Sequence, residues 1–136
     1  MTAIVYCDSS VLLKRTGEEI DSEEVTALIA SLAENGATLI TSELARVEIR
    51  LAFIRDKALT GRTVLADEQL LSTLGGVMLV DLNTDVLAVA SQIEAAHLGT
   101  LDALHLATAL LSGADVLLTR DAQLSRACQE VGMAVA

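Results

Sequence analysis

Short apolar runs alternate with longer amphipathic segments along the whole chain, and this alternation predicts the fold. The apolar runs predict strands at 3–7, 37–40, 77–82 and 115–119, with a weak terminal strand in "MAVA". The segments between them predict helices at 9–16, 22–35, 42–59, 62–74, 84–97, 100–112 and 122–131. Such an order indicates a parallel sheet that is covered by helices on both faces. We therefore expect one three-layer α/β/α domain over residues 1–136, with a central, mostly parallel sheet of four to five strands.

The composition fits a folded, intracellular domain. Hydrophobic residues make up 52% of the chain, with one Phe, one Tyr and no Trp, so the core must be aliphatic. The N-terminal residues lack the basic and apolar regions of a secretory signal, and no apolar run has the length of a membrane span. Cys7 and Cys128 are far apart in the sequence and predict buried, reduced thiols. We expect a cytoplasmic protein.

The charge is strongly acidic overall but unevenly distributed. A net charge of -10 argues against non-specific binding of nucleic acid. Five of the nine basic residues nevertheless lie between positions 46 and 62, namely Arg46, Arg50, Arg55, Lys57 and Arg62. This segment is either a local positive patch or a solvated helix face, and charge alone favours neither.

Four acidic residues occupy positions where a parallel sheet forms binding sites. Asp8 follows the first predicted strand and Asp121 follows the fourth, while Asp102 and Glu48 lie in early turns of predicted helices. Each acid alone has a structural explanation, as a helix cap or as a partner of the helix dipole. Ligand sites in such folds form beyond the carboxyl ends of the strands, where the strand order reverses. A shared site is therefore the competing explanation.

Helical geometry strengthens the case for Glu48 and Asp102. At about 100° per residue, Glu48 falls in an apolar sector between Leu44 and Ala52, whereas Glu43 falls among arginines. The helix in "TLDALHLATALL", which Thr100 should cap, is apolar on nearly every side and predicts burial around Asp102. A buried, unpaired carboxylate is costly unless it takes up a proton or meets a cation. A set of Asp and Glu oxygens favours Mg²⁺ or Mn²⁺.

Four segments carry a resemblance to a known family. "YCDSSVLL", "TSELARVEI", "TLDALHLATAL" and "LLTRDAQL", in this order and at these separations, resemble the PIN-domain ribonucleases, and among them the VapC-type toxins of bacterial toxin–antitoxin pairs. The resemblance spans essentially the whole chain and implies a PIN-like fold. It also implies that the residues binding Mg²⁺ or Mn²⁺ for catalysis are Asp8, Glu48, Asp102 and Asp121. Ser10 and Thr119 match the family's supporting hydroxyl residues.

The resemblance further implies an activity and partners. The expected activity is metal-dependent endonucleolytic cleavage of RNA that leaves a 5′-phosphate and a 3′-hydroxyl. The basic segment at 46–62 would face the RNA, with Arg46, Arg50 and Arg120 as candidate contacts. The expected partners are an RNA substrate, a cognate antitoxin that occupies the acidic groove, and a second copy of the toxin in a homodimer.

Several alternatives remain open at this point. His105 lies three residues after Asp102, so it is either a metal ligand or, as we favour, a hydrogen-bonded core residue. A PIN scaffold without catalysis would be a binding module. A haloacid-dehalogenase-like phosphatase would use Asp8 as its nucleophile, but that class needs an Asp where Ser10 stands. A receiver-type signalling domain would need a Lys after a late strand, and Lys14 and Lys57 are not so placed.

Overall fold

The computed structural model describes residues 2–61 and 65–136. Arg62 of the basic segment and the beginning of the helix predicted at 62–74 lie outside the described residues. The strands are β1 (Ile4–Cys7), β2 (Thr38–Ser42), β3 (Val77–Val80) and β4 (Val116–Leu118). The helices are α1 (Ser9–Leu13), α2 (Ser22–Glu34), α3 (Leu44–Thr60), α4 (Ala66–Thr73), α5 (Thr84–Ala90), α6 (Thr100–Leu111) and α7 (Ala122–Val131).

The four strands form one parallel sheet in the order β3-β2-β1-β4. Successive residues of β1 point to opposite faces, so Val5 and Cys7 pack under α1, α2 and α3, while Tyr6 packs under α6 and α7. Both faces are therefore covered, and the predicted three-layer α/β/α fold is confirmed. Every helix in the described part of the chain is too short or too polar to span a bilayer.

Strand order determines where a site can form. The chain runs outward from β1 through β2 to β3, and then returns to the other side of β1 to form β4. The order therefore reverses between β1 and β4, and a cleft is expected beyond their carboxyl ends. The register pairs Cys7 with Leu118, so Asp8 and Thr119 emerge side by side at this point.

Three sequence-based predictions about the elements were wrong in detail. "MAVA" contributes one parallel bridge, between Val135 and Leu117, rather than a fifth strand among the described residues. Helix α5 ends at Ala90 rather than at 97, because Ile93, Ala95 and Leu98 leave the helix path to pack against the core under the sheet. The N-cap of α6 is Gly99, and Thr100 is the first helical residue.

Helix α6 is also less buried than its apolar sequence predicted. Leu104, Leu106, Ala107 and Ala109 are buried, but Leu101, Leu110 and Leu111 are 49%, 37% and 49% exposed. The exposed leucines lie in the first and last turns of the helix, and the end that carries Asp102 opens into the cleft.

Candidate active site

A cleft of about 260 Å³ opens beyond the carboxyl ends of β1 and β4. The four acids that the sequence singled out all lie in its wall, together with three apolar or basic residues and three further polar ones. The lining consists of Asp8, Ser9, Ser10, Leu13, Glu48, Ala52, Arg55, Asp102, His105 and Asp121. The structure therefore brings together side chains that are scattered along most of the sequence.

Asp8 forms the floor of the cleft and is held on both carboxylate oxygens. Oδ1 accepts hydrogen bonds from the Ser10 hydroxyl at 2.7 Å and from the Val11 amide at 3.0 Å, so Asp8 also caps α1. Oδ2 accepts from the Thr119 hydroxyl at 2.5 Å. Asp8 is 3% exposed, and burial raises its pKa above the usual value despite these three donors.

Ser10 and Thr119 also join Asp8 to the segment after β4. The Ser10 hydroxyl accepts a hydrogen bond from the Arg120 amide at 3.1 Å, and the Thr119 hydroxyl accepts from the Asp121 amide at 3.0 Å. The two hydroxyl residues thus hold Asp8 from both sides of the reversal in strand order, and the supporting role that the resemblance implies for them stays a prediction.

Glu48 projects from α3 into the cleft and is anchored through one oxygen. Its Oε1 accepts a hydrogen bond from the Ser9 hydroxyl at 2.7 Å and lies 2.5 Å from His105 Nε2. Burial acts to raise the pKa of Glu48, but the hydrogen bonds from His105 and Ser9 outweigh it and hold this pKa below 4.5. The angular argument therefore identified the acid of α3 that reaches the cleft, whereas Glu43 forms an ion pair with Arg46.

Asp102 lies across the cleft, and no described residue donates a hydrogen bond to its carboxylate. Burial raises the pKa of Asp102 to about 6, and the charge of Asp121 is the next largest cause, with Asp8 and Glu48 adding to it. Asp121 itself caps α7, where its Oδ1 accepts from the Gln123 and Leu124 amides at 2.8 and 3.0 Å. Repulsion among the acids is thus concentrated on Asp102.

The predicted RNA-contacting arginines lie outside the cleft lining. Arg46 pairs with Glu43 at 3.1 Å and Arg50 with Asp67 at 3.0 Å, both on exposed surface. Arg120 lies 3.4 Å from Asp21 and is also exposed. Arg55 instead lines the cleft.

Sequence reasoning passed over three residues of this site. Arg55 comes seven residues after Glu48, about two turns along the same side of α3, and this spacing was the available signal. Ser9 directly follows Asp8 and binds Glu48, which no local pattern indicates. Tyr6 contacts His105 through its hydroxyl across 99 positions of sequence, so only the fold brings the two together.

The chemistry of the donor set fits a hard divalent cation. Carboxylate oxygens are the ligands that Mg²⁺ and Mn²⁺ prefer. Burial raises the pKa of Asp8, and burial together with neighbouring acids raises that of Asp102, so a cation would stabilise the charged form of both. Among the described residues, however, no three Asp, Glu, His or Cys side chains are close enough to form a ready-made metal cage. A cation would thus need side-chain adjustment or water ligands, and Mg²⁺ usually keeps several waters.

Comparison with known proteins agrees with this architecture. The family model described as "PIN domain" matches residues 5–130, which include all four acids. The chain belongs to the PIN domain family. A curated relative, Ribonuclease VapC47 of Mycobacterium tuberculosis, is 30% identical over 98% of this chain and 96% of its own length.

Solved structures share the fold of this PIN domain. VapBC2 from Rickettsia felis, bound to a DNA fragment from their promoter, superposes with a TM-score of 0.71 at 15% identity, over 98% of this chain and 97% of that one. A toxin–antitoxin complex from Klebsiella pneumoniae superposes with a TM-score of 0.61 at 16% identity, over 88% and 87% of the two chains. At these identities the likeness concerns the fold alone.

Proposed function

We propose that this PIN-domain protein is a Mg²⁺- or Mn²⁺-dependent endoribonuclease toxin that a cognate antitoxin holds inactive. The observation that carries the proposal is the convergence of Asp8, Glu48, Asp102 and Asp121 on one cleft at the reversal in strand order. The relationship to Ribonuclease VapC47 supports RNA as the substrate, and the fold shared with a toxin–antitoxin complex supports an antitoxin partner.

The four carboxylates would hold the cation. When bound, a divalent cation offsets negative charge on the phosphoryl oxygens and makes water a better nucleophile at neutral pH. A bound cation would offset the repulsion between the Asp102 carboxylate and the neighbouring acids.

The chain's own residues have separable tasks in this scheme. Asp8 is fixed by three donors and offers a rigid anchor at the cleft floor. Asp102 receives no hydrogen bond from a described residue, so its oxygens are available to orient a water molecule or to accept a proton. Asp121 keeps Oδ1 on the N-terminus of α7, which fixes its position relative to Asp8 through Thr119.

The partners follow from charge and exposed apolar surface. The acidic cleft suits a basic side chain of an antitoxin, which would occupy it in place of the cation. The exposed leucines of α6 are compatible with a homodimer interface, and we propose such a dimer as the form of the free toxin. We propose the cytoplasm as its location.

The structure disfavours the phosphatase alternative. That class needs a second acid two residues after its Asp nucleophile, but the residue there is Ser10, whose hydroxyl donates to Asp8 Oδ1 at 2.7 Å. The other alternative, a PIN-domain binding module without catalytic activity, is distinguished from the nuclease by the cleavage experiment that follows.

The decisive test is cleavage of a panel of structured RNAs by the purified protein with Mn²⁺, with Mg²⁺ and with EDTA. We expect cleavage with either metal and none with EDTA. Asp8→Asn should reduce cleavage by about a hundredfold or more, equivalent to about 2.7 kcal/mol of lost transition-state stabilisation.

The matched control is Asp56→Asn, which removes an exposed acid of α3 and should cleave like the wild type. Full cleavage in EDTA, or by Asp8→Asn, would contradict the proposal. RNA binding by the wild type without cleavage under any metal would favour the binding module.

A further inference from the structure

We infer that His105 is a positioning residue that fixes Glu48 in the cleft by donating a hydrogen bond from its Nε2–H, an inference that rests on the proposed function. His105 lies on α6, and Glu48 lies on α3 across the cleft. Their contact is therefore a direct polar link between α3, which carries Glu48, and α6, which carries Asp102.

The histidine is enclosed by polar partners at both ring nitrogens. It is 2% exposed, with Nε2 at 2.5 Å from Glu48 Oε1 and Nδ1 at 2.5 Å from the Tyr6 hydroxyl. The rings of Tyr6 and His105 also meet edge to face, with their centroids 5.8 Å apart. With both nitrogens occupied by protein groups, His105 has no lone pair to offer a metal, which disfavours its role as a ligand beside Asp102.

The partners at the two ring nitrogens indicate where the imidazole carries its proton. An ionised Glu48 Oε1 can only accept, so Nε2 carries the proton, and the Tyr6 hydroxyl, whose oxygen accepts from the Ser42 amide at 3.1 Å, can donate to the free Nδ1. A phenol keeps its proton at neutral pH, so this donor is present. A neutral imidazole that accepts at Nδ1 carries its own proton on Nε2, where Glu48 accepts it.

The consequence is a fixed orientation for one carboxylate. Ser9 and His105 both donate to Glu48 Oε1, while no described residue donates to Oε2. A glutamate on a half-buried helix face would otherwise sample several rotamers. The backbone amide of Ser42, Tyr6 and His105 thus form a chain that holds Oε1 and leaves Oε2 for a ligand in the cleft. Such outer partners orient metal-binding carboxylates in proteins.

Two substitutions separate positioning from packing. His105→Gln can place its amide nitrogen near the position of Nε2 and keep the donor to Glu48. His105→Asn places its amide near Nδ1, so it keeps the Tyr6 side and loses the Glu48 donor. Both remove the imidazole ring, so both should lose similar packing. Thr108→Val is the control, because it removes a buried hydroxyl of the same helix that donates only to Leu104.

The readouts are Mn²⁺ affinity, measured by electron paramagnetic resonance of unbound Mn²⁺, and the histidine tautomer, measured by ¹⁵N–¹H correlation on metal-free wild type. We expect His105→Asn to weaken Mn²⁺ binding by about 10- to 100-fold. His105→Gln should recover most of that loss, and Thr108→Val should bind like the wild type. His105 should show the Nε2–H tautomer, with His97→Gln used to assign the second histidine.

Each contrary outcome has a separate meaning. A His105→Asn protein that binds Mn²⁺ like the wild type, or a His105→Gln protein as weak as His105→Asn, would overturn the positioning role and leave the nuclease proposal standing. An Nδ1–H tautomer would overturn it as well, and this measurement needs no folded variant. Wild type that neither binds Mn²⁺ nor cleaves RNA would overturn the proposed function and the role of His105 with it.

Discussion

Two walls of the cleft, formed by α3 and α6, each present one carboxylate, and the same cleft shifts their pKa values in opposite directions. Burial acts to raise the pKa of Glu48, but hydrogen bonds from His105 and Ser9 hold it below 4.5. The pKa of Asp102 is raised to about 6, chiefly by burial, and the charges of neighbouring acids contribute to the same shift. Both side chains are partly exposed, so burial alone does not separate them.

Hydrogen-bond donors account for the difference. A carboxylate that accepts two donors is stabilised in its charged form, whereas one that faces other acids without a donor is stabilised only by a proton or a cation. The Glu48 carboxylate of the α3 wall thus receives hydrogen bonds from the protein, and the Asp102 carboxylate of the α6 wall receives none from a described residue. Glu48 is therefore held in place before any ligand binds. Asp102 is the carboxylate whose charged form a bound cation would stabilise most.

The largest expected effect comes from neutralising the α3 wall. Glu48→Gln keeps the shape of the side chain but removes a charge that would bind the cation, so RNA cleavage should fall by about a hundredfold or more. Metal-free stability should fall by about 1 kcal/mol, because hydrogen bonds to a charged acceptor are stronger than those to an amide. Cleavage rates and urea unfolding in EDTA measure the two effects.

Glu43→Gln is the control for this substitution, because it neutralises an acid of the same helical region that pairs with Arg46 outside the cleft. If Glu43→Gln lost as much activity as Glu48→Gln, the assignment of the α3 wall would be wrong. The stability that ionised Glu48 contributes is present above its unfolded pKa near 4.5 and is lost as the pH falls through its lower folded value.

Neutralising the acid of the α6 wall should change metal-free stability in the opposite direction. Asp102→Asn should also impair cleavage, but it should stabilise the metal-free protein at pH 7.5, because it removes a charge that the fold disfavours. The shift from 3.8 to about 6 corresponds, after discounting for partial exposure, to about 1 kcal/mol and a rise in Tm of about 4 °C. Calorimetry in EDTA would measure it.

The pH dependence tests the cause of that stabilisation. Between about pH 4 and pH 6 the folded protein keeps the Asp102 proton that the unfolded chain has lost, so wild-type stability falls as the pH rises through this window. The advantage of Asp102→Asn should therefore disappear below about pH 4. A constant advantage at all pH values would show that packing, and not charge, distinguishes the two walls.

Much of this contrast was accessible from the sequence, because the positions of the acids follow from strand ends and helical periodicity. Asp8 directly follows β1, Asp121 comes three residues after the end of β4, and Glu48 interrupts an apolar sector of α3. Both signals can be read from neighbouring residues, and a parallel sheet brings such side chains together at the carboxyl ends of its strands. The opposite pKa shifts could not be predicted, because they depend on which donor each acid meets.

The partners of the site are non-local, and sequence patterns do not encode them individually. His105 meets Glu48 across 57 positions and Tyr6 across 99, and neither contact has a periodic signature. The end of α5 was missed for a related reason, since tertiary packing of Ile93 overrode a continuous helical pattern. The pairing of Arg50 with Asp67 likewise depends on how α4 lies against α3.

The smallest expected effect concerns the basic residue that the cleft includes. Arg55 lines the cleft, whereas Arg46 forms an ion pair with Glu43 elsewhere on α3. If Arg55 contacts an RNA phosphate equally in the ground and transition states, Arg55→Ala should raise KM severalfold and leave kcat unchanged. It should also reduce the slope of log kcat/KM against log salt by about 0.7, the value for one phosphate contact on a single strand. Arg46→Ala should change neither quantity; the reverse result would place the RNA along the outer face of α3 and make the ion-paired arginines its contacts.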